Sequence, residues 1–237
     1  MNTNAVVTGA NRGIGLAIAR TLAAKGHTVI GTARTPQHAR ELKQAVEPTG
    51  GRVEQLDTDD DQSIQKLAET LKNTPLHILI NNAGVYPTKG GDLTTLNRAE
   101  TVRCLETNAV GPVRVTAALL PNLKQAATPQ HPAKVVQITS TMGSLKQADD
   151  NKATGSHAYR ASKAALNMFN LLLAREIIQH HVVSVAVHPG WVRTDMGGEN
   201  AALDPEESAA GIVNVIEQLT ADHAGRYLAH DNTPLPW

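Results

Sequence analysis

The feature that most limits what this chain can fold into lies at its start. Ala5-Val6-Val7-Thr8 is a short apolar strand candidate, and it runs into Gly9-Ala10-Asn11-Arg12-Gly13-Ile14-Gly15. Leu16 to Lys25 then carries helical periodicity, with Gly26 as a C-terminal stop. A glycine-rich turn between a first strand and a helix presents unpaired helix N–H groups to a pyrophosphate. The spacing here is Gly-x-x-x-Gly-x-Gly, not the Gly-x-Gly-x-x-Gly of the usual dinucleotide fingerprint. A tight turn with no ligand would use the same glycines. Its place at the head of an alternating chain favours phosphate binding.

That alternation continues to the end. Strands are expected at Thr28–Thr32, Arg52–Leu56, His77–Ile80, Lys134–Thr139, Val182–Val187 and Arg226–Leu228. Helices are expected at Pro36–Val46, Asp59–Leu71, Leu96–Leu123 with a kink at Gly111-Pro112, Ser156–Gln179 and Pro205–Leu219. The polar stretch Lys146–Gly155 reads as a loop. Strand and helix in strict alternation mean a parallel sheet covered on both faces. No Pro/Gly/Ser-rich linker and no solenoid repeat divides the chain, so residues 1–237 are expected to form one α/β domain, a doubly wound sheet of about seven strands.

Composition narrows the function classes. Lys plus Arg and Asp plus Glu are 22 each, so no basic excess calls for nucleic acid or an anionic membrane. Aromatics make up 3%, too few for base-stacking platforms. The single cysteine, Cys104, rules out an internal disulfide framework and a cysteine-based zinc site, and it is expected to pack in the core. Ten histidines invite a metal, but His180-His181 has no third spaced ligand, and His188 before Pro189 reads as structural. No apolar run approaches a membrane span, and Met1-Asn2-Thr3-Asn4 leads directly into a strand without a secretory leader. The expectation is a cytoplasmic protein with no metal.

Within the helix from Ser156, Tyr159 and Lys163 stand one turn apart on one face. Ser156 reads as the N-cap, which puts Tyr159 in the first turn, where the helix dipole favours negative charge. The ammonium and the dipole should both pull the phenol below its ordinary pKa, toward the range useful for acid–base work. Taken alone, a Tyr-x-x-x-Lys pair is more often an ordinary helix surface.

Together with five further segments it is not ordinary. Thr8–Gly15, Asn81-Asn82-Ala83-Gly84, Thr107-Asn108-Ala109-Val110-Gly111, Gln137-Ile138-Thr139-Ser140, Tyr159–Lys163 and His188-Pro189-Gly190-Trp191-Val192-Arg193-Thr194 resemble, in order, the motifs of the short-chain dehydrogenase/reductase family over nearly the whole chain. Within it, the segments Tyr159–Met168, Trp191–Gly198 and Pro234–Trp237 are most similar to the carbonyl-reductase-like C-factor and sniffer group. The resemblance implies a catalytic set of Ser140, Tyr159, Lys163 and Asn108. Tyr159 would be proton donor in carbonyl reduction and acceptor in alcohol oxidation. Lys163 would also hold the nicotinamide ribose, Ser140 would bond the substrate oxygen, and Asn108 would hold a water linked toward the lysine. It further implies a cofactor site formed by Gly9, Asn11, Arg12, Gly13, Ile14, Gly15, Arg34, Asp57 (near the adenine), Asn82, Ala83, Gly84, Tyr159, Lys163, Pro189, Gly190, Val192 and Thr194.

Ala33 stands where members preferring NAD carry an acid, and Arg34 and Arg12 offer two guanidiniums to a 2′-phosphate, so the cofactor is expected to be NADP(H). Ser140 and Tyr159 lie 19 residues apart, more than in many members, with the extra residues in the Lys146–Gly155 stretch. The segment between Thr194 and Pro205 is short for a substrate lid, and a relatively open pocket is expected. The partner implied is a small carbonyl or alcohol, and the two long helices imply a homodimer or homotetramer. A slow-turnover nucleotide-binding signalling or scaffold protein of C-factor type is the alternative. An acyl-carrier ketoreductase would need a basic docking patch that no cluster here supplies.

Overall fold

The inner strands bury side chains on both faces, and the two faces gather different helices. Val6, Ile30, Leu79 and Val135 point to one side, and Ala5, Val7, Val29, Ile80 and Val136 to the other, the two-residue period of a strand. The computed structural model describes residues 3–88 and 91–237. Among them run seven strands, β1 (Asn4–Val7), β2 (Thr28–Ala33), β3 (Arg52–Gln55), β4 (Ile78–Asn81), β5 (Ala133–Ile138), β6 (Val182–His188) and β7 (Tyr227–Ala229). All pair in parallel in the order β3-β2-β1-β4-β5-β6-β7.

Among the described residues the α-helices are α1 (Gly13–Ala24), α2 (Arg40–Val46), α3 (Asp61–Thr70), α4 (Arg98–Leu105), α5 (Gly111–Ala126), α6 (Leu145–Asp150), α7 (His157–Ile177) and α8 (Pro205–Gln218). On one face α1, α2 and α8 bury Leu16, Ile18, Leu22, Leu42, Ile212 and Ile216. On the other, α3, α5 and α7 bury Ile64, Leu67, Val115, Leu119, Leu123 and Ile177. This is the expected doubly wound sheet, with strand order reversing between β1 and β4. Beyond the carboxyl ends of strands at such a reversal the flanking loops part and leave a crevice.

Three local expectations are corrected. The helix expected over Leu96–Leu123 is α4, a π-helical turn at Glu106–Val110, and α5. Pro112 has no N–H to donate to the carbonyl of Asn108 four residues back, and the chain widens into a π turn just before Gly111-Pro112, which divides the expected helix in two. The stretch read as a loop starts as a helix: Ser144 Oγ accepts the Gln147 N–H at 3.0 Å and caps α6. A serine followed three residues later by glutamine is a helix-start signal that the polar composition obscured. Ser156 does not cap α7. Its backbone is left-handed, at φ 52°, and its hydroxyl bonds Tyr86 instead. No helix among the described residues is long and apolar enough to cross a membrane.

Candidate active site

At the β1–β4 reversal two turns are clasped together. Thr8 Oγ1 accepts the N–H groups of Asn82 and Ala83 at 2.9 and 3.0 Å. Asn82 Nδ2 returns bonds to the carbonyls of Thr8 and Gly9 at 3.0 and 3.1 Å. The approach is so close that a Cβ on Gly15 would lie 2.4 Å from Asn82 Nδ2 and 2.6 Å from the Gly9 carbonyl, so any side chain there would push the turns apart. Arg12 precedes α1 without capping it, and the first turn of α1 holds no acid. The free N–H groups and the positive dipole end therefore face the cleft.

The cleft encloses about 970 Å³. It collects every residue expected to hold the cofactor: Gly9, Asn11 to Gly15, Arg34, Asp57, Asn82 to Gly84, Pro189, Gly190, Val192 and Thr194, with Tyr159 and Lys163. Ser140 lines it too. Arg34 is exposed beside the buried Ala33, and no ion-pair partner for it exists among the described residues. Arg12 is engaged, paired with Asp195 from the turn after β6. The segment from Asp195 to Asp204 forms turns and no helix, braced by Arg193 on Asp204 and on the Ala201 carbonyl at 2.7 Å.

At the other end, Ser140 follows β5 in extended backbone and starts a single 3₁₀ turn, Thr141–Gly143. That turn lies directly against α7: a Cβ on Gly143 would come 2.6 Å from the Lys163 backbone carbon. The contact brings the Ser140 hydroxyl within hydrogen-bonding reach of the Tyr159 phenol. Lys163 Nζ donates to the Ile138 carbonyl at 2.9 Å and lies 5.7 Å from the centre of the Tyr159 ring.

The expectation for the phenol's acidity is overturned. Burial pushes Tyr159 up to about 12, opposed in part by the Ser140 hydrogen bond. Burial likewise brings Lys163 down to about 8. Helix spacing fixes which groups are neighbours but not how much water they lose, and here desolvation of the charged form is the largest influence on both.

Asn108, in the π turn, does not line the cleft. Its Oδ1 accepts the Val85 N–H at 2.7 Å, and its Nδ2 donates to the Val85 carbonyl at 2.8 Å and to Ser162 Oγ at 3.0 Å. It reaches the site through the segment after Gly84. Cys104 is buried on α4, its thiol pushed up by burial. His188 also lines the cleft, its Nδ1 accepting the Thr141 N–H at 3.4 Å. Burial, with help from His230, brings it down to about 4.

Several wall residues were not singled out as site residues, although Trp191 and Met196 lie in the His188–Thr194 and Trp191–Gly198 segments. Tyr86, Met142, Trp191 and Met196 give the reactive end an apolar rim, and Arg103 reaches it from α4. Tyr86 directly follows the Asn82-Ala83-Gly84-Val85 turn, whereas only tertiary packing brings Met142 and Arg103 to the same rim.

Residues 3–204 match the family model described as short chain dehydrogenase. The C-signal protein of Myxococcus xanthus is 42% identical over 163 residues, which cover 69% of this chain and 93% of that protein. Two solved structures superpose over the full length of both chains at 32% identity and a TM-score of 0.91: an NADPH-bound carbonyl reductase from chicken fatty liver and the carbonyl reductase Sniffer of D. melanogaster. With the parallel sheet, the glycine turn and the Ser140, Tyr159 and Lys163 side chains meeting in one cleft, these likenesses establish that the chain belongs to the short-chain dehydrogenase family of oxidoreductases and is similar within it to the carbonyl reductases.

Proposed function

We propose that the protein is an NADP(H)-dependent carbonyl reductase that also oxidises the corresponding alcohol. The observation that carries this reading is the convergence of Ser140, Tyr159 and Lys163 in the cleft that the glycine turn opens onto. The cleft suits a dinucleotide: backbone N–H groups at the start of α1 fit a pyrophosphate, and the unpaired Arg34 guanidinium with no acid at Ala33 fits a 2′-phosphate. When bound, the nicotinamide supplies or accepts the hydride.

The chain's own groups handle the proton. A phenol held near 12 is fully protonated at neutral pH, and it is a far stronger acid than the alcohol that the reduced carbonyl becomes. Tyr159 therefore donates its proton to the carbonyl oxygen as negative charge grows there. The Ser140 hydroxyl donates a hydrogen bond to the same oxygen, an electrostatic contribution in a water-poor site. Lys163 stays largely charged at neutral pH, and its ammonium, fixed by the Ile138 carbonyl, stabilises the phenolate that remains. Asn108 acts as a positioning residue for Val85. The complete Ser–Tyr–Lys set supports an enzyme over a signalling or scaffold role.

Tyr159→Phe tests this. It removes one hydroxyl and keeps the ring, so NADPH affinity should hold while turnover of a carbonyl compound found by an NADPH-consumption screen falls by roughly 10²–10⁴. Near-normal turnover in that variant would sink the assignment. Lys163→Ala should lower both turnover and cofactor affinity.

Assembly belongs to the same reading. Val102 on α4 and Met168, Phe169 and Leu172 on α7 are exposed apolar side chains on neighbouring helices. A homodimer or homotetramer is expected, and sedimentation yielding only a 25.2 kDa monomer at micromolar concentration would remove that part.

A further inference from the structure

A second tyrosine covers the first. The Tyr86 ring lies 4.9 Å, centre to centre, from the Tyr159 ring, tilted by 47°. It occupies the cleft side, 38% exposed, while Tyr159 beneath it is 8% exposed. Tilted pairs at this separation are attractive in their own right.

The segment carrying Tyr86 is held at nearly every residue. Val85 is clamped through both its N–H and its carbonyl by Asn108. The Tyr86 carbonyl accepts from Arg103 Nη2 at 3.2 Å. The Thr88 N–H donates to Glu100 Oε2 at 3.0 Å, and the same carboxylate oxygen holds Arg103 at 2.7 Å. At the tip of the ring, the Tyr86 hydroxyl bonds Ser156 Oγ. This bond accounts for what Ser156 does instead of capping α7. A left-handed serine is a costly conformation that persists where surrounding contacts over-determine it. Here it turns the hydroxyl toward Tyr86, three residues before Tyr159 on the same chain.

From this geometry we propose that Tyr86 is a positioning residue for Tyr159: its ring, tethered at Ser156, shields the reacting phenol from water and keeps it in its protonated form. The inference rests on the reading of Tyr159 as the proton donor. Its physical content is independent of turnover, because it concerns the ionisation of one phenol. Burial is the largest contribution raising Tyr159. Removing the ring admits water to the phenolate and lowers the cost of forming it.

The chain holds only three tyrosines, Tyr86, Tyr159 and Tyr227, so the ultraviolet absorbance of tyrosinate can be assigned by substitution. In Tyr86→Phe the ring remains and only its tether to Ser156 is lost, so Tyr159 should ionise at most slightly earlier than in the unchanged protein, by about as much as in Ser156→Ala. In Tyr86→Ala a tyrosine should ionise about one pH unit or more earlier than in Tyr86→Phe. That early signal should vanish in the double variant Tyr86→Ala/Tyr159→Phe. Ser156→Ala, which frees the tether and leaves the cleft lining unchanged, should shift Tyr159 in the same direction by less, and it carries the test if Tyr86→Ala does not fold. Identical titration of Tyr159 in all these proteins would overturn the proposal. Full turnover in Tyr159→Phe would instead overturn the assignment of the proton donor, a separate result from a separate measurement.

Discussion

At the glycine turn the cleft wall is mostly backbone, whereas around Ser140 and Tyr159 it is side chains. The phosphate end is open, its charged groups Arg12 and Arg34 are exposed, and its shape comes from how closely two turns approach. At the reactive end, Tyr159 and Lys163 are 8% and 4% exposed, and their properties come from lost water. The carboxyl end of one sheet thus holds a region tuned by charge beside a region tuned by burial. A charge change should act strongly at the first end through direct contacts, and at the second through desolvation.

The largest expected effect breaks the charge side of this contrast. Ala33→Asp with Arg34→Ala puts a carboxylate where a 2′-phosphate would sit and removes a guanidinium. Each lost charged hydrogen bond should cost about 1.5–3 kcal/mol in NADPH affinity, and repulsion should add to it. The preference should reverse toward NADH, read by fluorescence titration of both cofactors against both proteins. An unchanged ratio would mean that the cofactor's phosphate is recognised elsewhere.

The next effect tests the burial side. His188 is brought down to about 4 in the folded protein, below its ordinary value near 6.5. The unfolded chain therefore takes up this proton first as pH falls. Stability is full above about 6.5, declines between about 6.5 and 4, and is level below. The neighbouring charges that act on the group are His230, which lowers it further, and Asp231, which raises it. His27 and His77 are lowered mainly by burial as well and act in the same direction. His188→Gln should remove on the order of 2 kcal/mol of this acid sensitivity, allowing for the partial exposure of the ring. Urea midpoints at neutral pH and near pH 4 measure it; parallel losses in the two proteins would assign the sensitivity to other groups.

The same contrast explains what the sequence made legible. Strand positions were readable to within a residue or two because both-face burial leaves continuous apolar runs such as Val182–Val187. The glycine turn was readable because close backbone approach at Gly15 admits no other residue. Tyr159 and Lys163 were readable as neighbours through helix spacing, but the direction of the phenol's shift was not. Burial depends on the Thr141–Gly143 turn and the Tyr86 ring, contributed from after β5 and after β4. The π turn at Asn108 was hidden because a widening confined to five residues is too short to leave a readable change in the apolar period. Ser156 misled for a related reason: serine is a good cap, and only a tertiary partner, Tyr86, tells which bond its hydroxyl makes.

The smallest expected effect lies at the seam between the two ends, where Arg12 of the glycine turn pairs with Asp195 of the turn after β6. Both side chains are more than 70% exposed, 72% and 78%. An exposed pair of this kind gains little, because water and salt screen it and two long side chains lose freedom; about 0–1 kcal/mol is typical. Asp195→Asn should therefore leave the thermal midpoint within a few degrees of the unchanged protein. Its effect on binding should have the opposite sign from an ordinary damaging substitution. Asp195 competes for the guanidinium that a 2′-phosphate would use, so releasing Arg12 should tighten NADPH by a few-fold and leave NADH unaltered, since NADH has no phosphate there. The gain should shrink as salt rises, because all the groups involved are in solvent. Equal tightening of both cofactors would point to a change in the shape of the cleft rather than to charge. No change in either would mean that Arg12 takes no part in binding, leaving Arg34 to hold the phosphate.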